Sequence, residues 1–156
     1  MPTAAEYAAQ YRQGAADLRA AVAGMTREQV TARPVPGKWS TLEVVAHLAD
    51  FEPILVERMK RILATDDAKV LPADENLFAK ALHYDARDLA EELAVVDATR
   101  ASTARIIEKL TPEQLARTGE HVVKGPVTLE SVIQMAIRHI NTHLPFIAEK
   151  RKALGI

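Results

Sequence analysis

Three of the five histidines in this 156-residue chain fall where they could hold one metal ion. His139 and His143 are four residues apart in a run with helical periodicity, so both rings leave the same helix face one turn apart. Imidazoles on consecutive turns can converge on a shared point. The pair is in register with Val132 and Ala136 on the apolar stripe, where burying a polar group without a partner costs about 1–3 kcal/mol. His47 sits the same way in another segment, between Val44 and Phe51. It lies about 10 Å past Ser40 along a helix axis, and the His139/His143 pair about 14–20 Å in from Lys152 on its own helix. Antiparallel packing offset by about a turn therefore brings the three rings together. Three neutral imidazoles with an open fourth position form a zinc site of catalytic type, and the same ligands suit nickel, copper and iron. The competing reading is a set of hydrogen-bonded core histidines that bind nothing. The stretch His139-Ile140-Asn141-Thr142-His143 lacks the glutamate that a zincin peptidase uses as its base, which argues against a metallopeptidase.

Other residues are candidates for supporting roles. Glu43 and Asp50, four before and three after His47, are placed to accept its second ring N–H, although solvent-facing charge is the preferred reading. Glu52, at the edge of the inward face, is open as a fourth ligand or a base without being favoured. Trp39 is expected as a core anchor under the loop at 34–38 rather than as a pocket wall. Gly14 interrupts the first helix, either for close helix approach or to leave room for a ligand beside Tyr11. Arg100 lies on a polar stretch with Thr99 and Thr103. It could meet an anionic substrate, but is expected to snorkel outward. His83 and His121 fall in connections and are expected to be exposed. No residue is identified as catalytic.

The elements that must carry these side chains are helical. Apolar residues make up 48% of the chain but aromatics only 4%, so Ala, Leu, Val and Ile supply the core, and glycines number six. No long alternating run argues for strands, and the fold class is all-α. Four long periodic segments run over about 4–23, from 40 to the mid-60s, 85–110, and from 128 almost to the C-terminus. Ser40 with Glu43 three residues on forms a capping box. Pro53 and Pro145 fall inside the second and fourth segments and should loosen them locally. Residues 25–30 (MTREQV) are echoed at 110–115 (LTPEQL), and Thr41-Leu42-Glu43 is echoed by Thr128-Leu129-Glu130. Each half thus reads as a long helix, a one-turn helix, a loop and a second long helix. Two such helical hairpins facing each other close a four-helix bundle. The connection at 65–84, with a short helix near 76–81, is long enough to let consecutive helices run parallel. Nothing marks a linker, so residues 1–156 form one domain.

Charge and composition exclude several partners. The formal net charge is −1, which offers no footprint for nucleic acid or anionic lipid. The chain has no cysteine, hence no disulfide frame, thiolate ligand or cysteine nucleophile. No apolar run approaches a membrane span and no signal-peptide core opens the chain, so a cytoplasmic location is expected.

The stretch Lys38-Trp39-Ser40-Thr41-Leu42-Glu43-Val44-Val45-Ala46-His47-Leu48-Ala49-Asp50 resembles the signature that opens the second helix of DinB-like proteins. His139 and His143 resemble the second metal-binding element of that superfamily, and the likeness extends over essentially the whole chain. It implies a four-helix bundle binding one divalent ion, commonly zinc or nickel, through His47, His139 and His143, and often dimeric. Some members are S-transferases using bacillithiol or mycothiol, or a mycothiol-dependent maleylpyruvate isomerase, in which the ion activates the thiol. The expected function is accordingly a metal-dependent transferase or isomerase acting on a small molecule, with a low-molecular-weight thiol as a second cofactor. The alternative is a non-catalytic, stress-associated protein in which the ion is structural. The family name comes from a DNA-damage-inducible gene and implies no DNA binding.

Overall fold

Each of the long helices begins on a side chain that answers its first free N–H groups. In the computed structural model, which describes residues 2–156, Thr3 opens α1 (Ala4–Val22) and Ser40 opens α3 (Thr41–Ala64), both with complete capping boxes. Asp88 caps α5 (Leu89–Ile107) and Thr128 caps α7 (Leu129–Leu154). Such caps contribute about 1 kcal/mol each. The two short echoes at 25–30 and 110–115 are also helices opened by capping boxes, α2 (Arg27–Thr31) on Thr26 and α6 (Pro112–Leu115) on Thr111. The second pair of echoes is out of step by one residue. Thr128 is itself a cap, whereas Thr41 follows its cap, Ser40. Both α3 and α7 run unbroken through their internal prolines.

The four long helices form the expected bundle. α1 packs against α5 and α7, and α3 packs against the same two. The long helices of each half therefore lie diagonally across the bundle, and each touches both helices of the other half. Ion pairs Arg12–Glu108 and Arg19–Asp97 set α1 antiparallel to α5. Tyr7 meets Glu130 and Gln134 near one end while Arg151 meets the Ala21 and Ala23 carbonyls near the other, so α1 and α7 run parallel. His47 lies against His139, and Met59 and Leu63 against Leu129 and Ile133, so α3 and α7 are antiparallel. It follows that α3 and α5, consecutive long helices, run parallel. The chain between them must travel back along the bundle, through β1 (Lys69–Val70), α4 (Glu75–Ala81) and a 3-10 turn at Tyr84–Ala86.

A three-stranded sheet joins this connection to the other one. β1 pairs in parallel with β2 (Thr118–His121), which pairs antiparallel with β3 (Gly125–Thr128). The sheet was not expected from sequence, because the inward positions of β2 are Gly119 and His121 rather than apolar residues. A Cβ at Gly119 would sit 2.7 Å from Ile62 and 3.2 Å from the Ala68 carbonyl oxygen, so glycine is what lets β2 close on α3. His121 is buried rather than exposed, since its Nδ1 accepts the backbone N–H groups of Val123 and Lys124 and so holds the β2–β3 turn. His83 is exposed as expected, in a left-handed conformation ahead of the 3-10 turn.

The core divides along the bundle axis. One apolar cluster contains Tyr7, Met59, Ile62, Ile107 and Ile133; the other contains Leu18, Val44, Leu48, Val96 and Ile147. Between them lies a polar layer. Arg100 donates through Nε to Glu52, through Nη1 to the Tyr11 carbonyl and through Nη2 to the Ala136 carbonyl, while the Tyr11 hydroxyl donates to Glu52. Arg100 does not snorkel outward: it is 1% exposed and its partner Glu52 is fully buried. Gly14 is the reason it fits, because a Cβ there would overlap the guanidinium. The gap beside Tyr11 is thus filled by this chain's own arginine rather than by a ligand.

Candidate metal centre

His47 projects from the first turns of α3, and His139 and His143 from the middle of α7. Antiparallel packing brings the three rings together, with centroids 4.8–5.0 Å apart. One ring nitrogen from each lies within 4.8 Å of the others, and the His47 and His139 Nε2 atoms are 3.0 Å apart. His47 is fully buried and the other two are half-buried. Trp39, Phe51 and Phe146 wall the cluster.

Burial, with the positive charge each ring would present to its neighbours, makes these imidazoles hard to protonate. The His47 pKa falls to about 3 and that of His139 to about 4, and burial also lowers His143. All three are neutral at physiological pH and carry lone pairs. Apart from the His47–His139 contact, these rings have no hydrogen-bond partner among the described residues. The Nδ1 atoms of His47, His139 and His143 are all buried without a partner. The Nε2 atoms of His47 and His139 meet at 3.0 Å, a contact that needs a shared proton or a cation, and a cation at the point of convergence would serve all three rings. The donor set fits a divalent transition-metal ion.

The neighbouring carboxylates have other work. Glu43 accepts the Ser40 N–H in the capping box and pairs with Arg33, so it is neither a solvent-facing charge nor a partner of His47. Asp50 forms a two-pronged pair with Arg87, which also reaches Glu92. Glu52 is five residues beyond His47, about 140° around the helix, and that turn aims it at Arg100 instead of the histidines. It is therefore neither ligand nor base. Trp39 anchors the loop, as expected, but it also forms a wall, its ring 5.4 Å from that of His47.

The family model of the DinB superfamily matches residues 10–147. The chain belongs to the DinB superfamily. Among its relatives is YfiT of Bacillus subtilis, by name a candidate metal-dependent hydrolase, 27% identical over 90% of this chain and 79% of that protein. A candidate metal-dependent hydrolase of Geobacillus kaustophilus is 28% identical over 96% of this chain and 85% of its own. The solved structure of YfiT, described as having an unusual four-helix bundle topology, superposes with a TM-score of 0.87 at 25% identity, covering 96% of this chain and 86% of that one.

Two residues of this DinB-superfamily site escaped the reading of the sequence. Glu75, at the start of α4, places a carboxylate oxygen 3.7 Å from His47 Nε2 on the solvent side of the cluster. Its position in a crossover carries no periodic signal. Lys150 is 2% exposed, and burial holds its pKa below the usual lysine value. A signal existed for it, since 139, 143, 146 and 150 form one helical stripe. Glu75, His143, Phe146 and Lys150, with Trp39 and Lys38, line a cavity of about 270 Å³ that opens beside the cluster.

Proposed function

We propose that this DinB-superfamily protein is a metal-dependent enzyme acting on a small molecule, with one divalent ion, zinc or nickel, held by His47, His139 and His143. The observation that carries the reading is the convergence of three neutral imidazoles, each with an unpartnered Nδ1, beside a cavity that His143 lines. When bound, such an ion supplies Lewis acidity at an open position. The imidazoles hold their ligand geometry because Trp39, Phe51 and Phe146 pack around them and keep bulk water back. Glu75 accepts the proton of a nucleophile that enters from the cavity, since its carboxylate stands beside His47 and remains half in solvent.

The nucleophile is either water or a low-molecular-weight thiol. The names of the relatives favour water and hydrolysis. The thiol is favoured by shape: the cavity shares Gly37, Lys38, Trp39 and Asn76 with a neighbouring hollow of about 420 Å³, which would give room for an extended co-substrate. A chain without cysteine must take that thiol from outside. A zinc- or nickel-loaded sample assayed with ester, amide and lactone substrates, and with monochlorobimane plus bacillithiol or mycothiol, distinguishes the two. Turnover lost in His143→Ala and Glu75→Gln is the expected result.

A structural role for the ion is the second reading, favoured because the cluster ties α3 to α7. It predicts that added metal raises the melting temperature with no turnover on any of these substrates. Assembly as a homodimer belongs to the same proposal, supported by the exposed apolar residues Leu71, Val122 and Val123 at the sheet; sedimentation velocity tests it.

A further inference from the structure

The ammonium of Lys150 has one hydrogen bond among the described residues, to the Phe146 carbonyl oxygen at 3.0 Å. No carboxylate reaches it. Glu149, its neighbour in sequence, is exposed, and Glu43 is committed to Arg33 and the cap of α3. A lysine near a helix C-terminus can serve simply by facing the helix dipole. Exposed Lys152 and half-exposed Arg151 already do that for α7, without the cost of removing an ammonium from water. Lys150 instead borders the cavity that His143 borders from the other end. The two residues are seven apart on α7, hence on one face and about 10 Å apart along the axis, with Phe146 between them. The exposed Lys38 borders the same cavity.

We propose that this cavity is a subsite for the carboxylate end of the substrate or co-substrate, held by the Lys150 ammonium while the reacting end lies at the histidine cluster. The inference rests on the functional reading above. A monoanionic carboxylate suits the site better than a phosphate, because Glu75 and Glu149 also line it and would repel a second negative charge. Phe146 supplies an apolar floor for the carbon chain between the two ends, and Lys38 adds a cation at the rim.

The test uses cobalt-loaded protein and two thiols of equal length, 6-mercaptohexanoate and 6-mercaptohexan-1-ol, titrated while the thiolate-to-cobalt absorption is followed. Wild type is expected to bind the carboxylate about tenfold more tightly, the worth of one charge-assisted hydrogen bond. In Lys150→Met, which replaces a buried charge with an apolar side chain of similar length, the two affinities should agree within about twofold. Lys150→Arg should keep the preference. All three proteins should take up cobalt equally, as circular dichroism and metal content would show. Equal affinities in wild type, or a preference that survives in Lys150→Met, would overturn the subsite and leave the metal site standing. Cobalt uptake with no response to either thiol would overturn it too. Failure to take up cobalt at all would remove the histidine site, and the subsite with it.

Discussion

Arg100 places a full positive charge where water does not reach, and its contacts define what its loss would cost. Burial pushes the Glu52 carboxyl above its usual pKa, while the Arg100 guanidinium and the Tyr11 hydroxyl pull it back down. Arg100→Met removes the cation and leaves the buried Glu52 carboxyl without its charged partner. We expect a loss of about 3–5 kcal/mol in urea unfolding, the usual result of breaking a buried pair from one side. Adding Glu52→Gln should recover a large part of it, because the uncompensated charge is then gone. At the histidine site the corresponding residue is Glu75. As a proton acceptor it should matter for rate and little for metal: Glu75→Gln is expected to lower turnover by about 10²–10⁴-fold with metal content unchanged. A variant that keeps full turnover would remove Glu75 from the mechanism.

At the scale of the elements, the polar layer makes one glycine indispensable. An alanine in the middle of α1 would ordinarily stabilise the helix by about 1 kcal/mol. Gly14→Ala should instead destabilise by about 1–3 kcal/mol, since the added methyl overlaps the Arg100 guanidinium and must displace it. Thermal unfolding of the single variant, and of Gly14→Ala combined with Arg100→Met, would separate the clash from the helix propensity. Much of this scale was legible beforehand. Ser40 with Glu43 marked the start of α3, and the long stretch at 65–84 signalled parallel consecutive helices. The helical offsets of His47, His139 and His143 placed them together once α3 and α7 were taken as antiparallel. What escaped depended on contacts between segments distant in sequence. Arg100 reads as a surface arginine until Gly14 is known to lie opposite it, and β2 hides its alternation in a glycine and a histidine. Glu75 reaches the site only because the crossover folds α4 back over it.

For the whole molecule, the histidines tie stability to pH in one direction. His47 and His139 are neutral in the folded protein down to about pH 3 and 4, against 6.5 for a free imidazole. Above pH 6.5 both states are neutral there and nothing is lost. As pH falls below 6.5 the unfolded chain takes up protons that the folded one refuses, so stability declines down to about pH 3. Glu52 acts in the opposite sense, because its raised pKa makes the folded state the better proton acceptor, and so softens the acid end of the curve. Urea midpoints of metal-free protein should therefore hold steady from pH 8 to 6.5 and then fall. The fall should be shallower in His143→Gln. A flat profile through pH 5 would mean that the imidazoles are not buried as neutral groups.

Whether the bundle brings His47, His139 and His143 together to hold one ion is decided by metal content. Elemental analysis of tag-free wild type, His47→Ala and His143→Ala, each after equilibration with zinc or nickel and removal of excess, should find one ion per chain in wild type. Neither variant should retain it while keeping its helical circular dichroism. Wild type that stays empty, or variants that hold the ion as tightly as wild type, would mean that these histidines are not metal ligands.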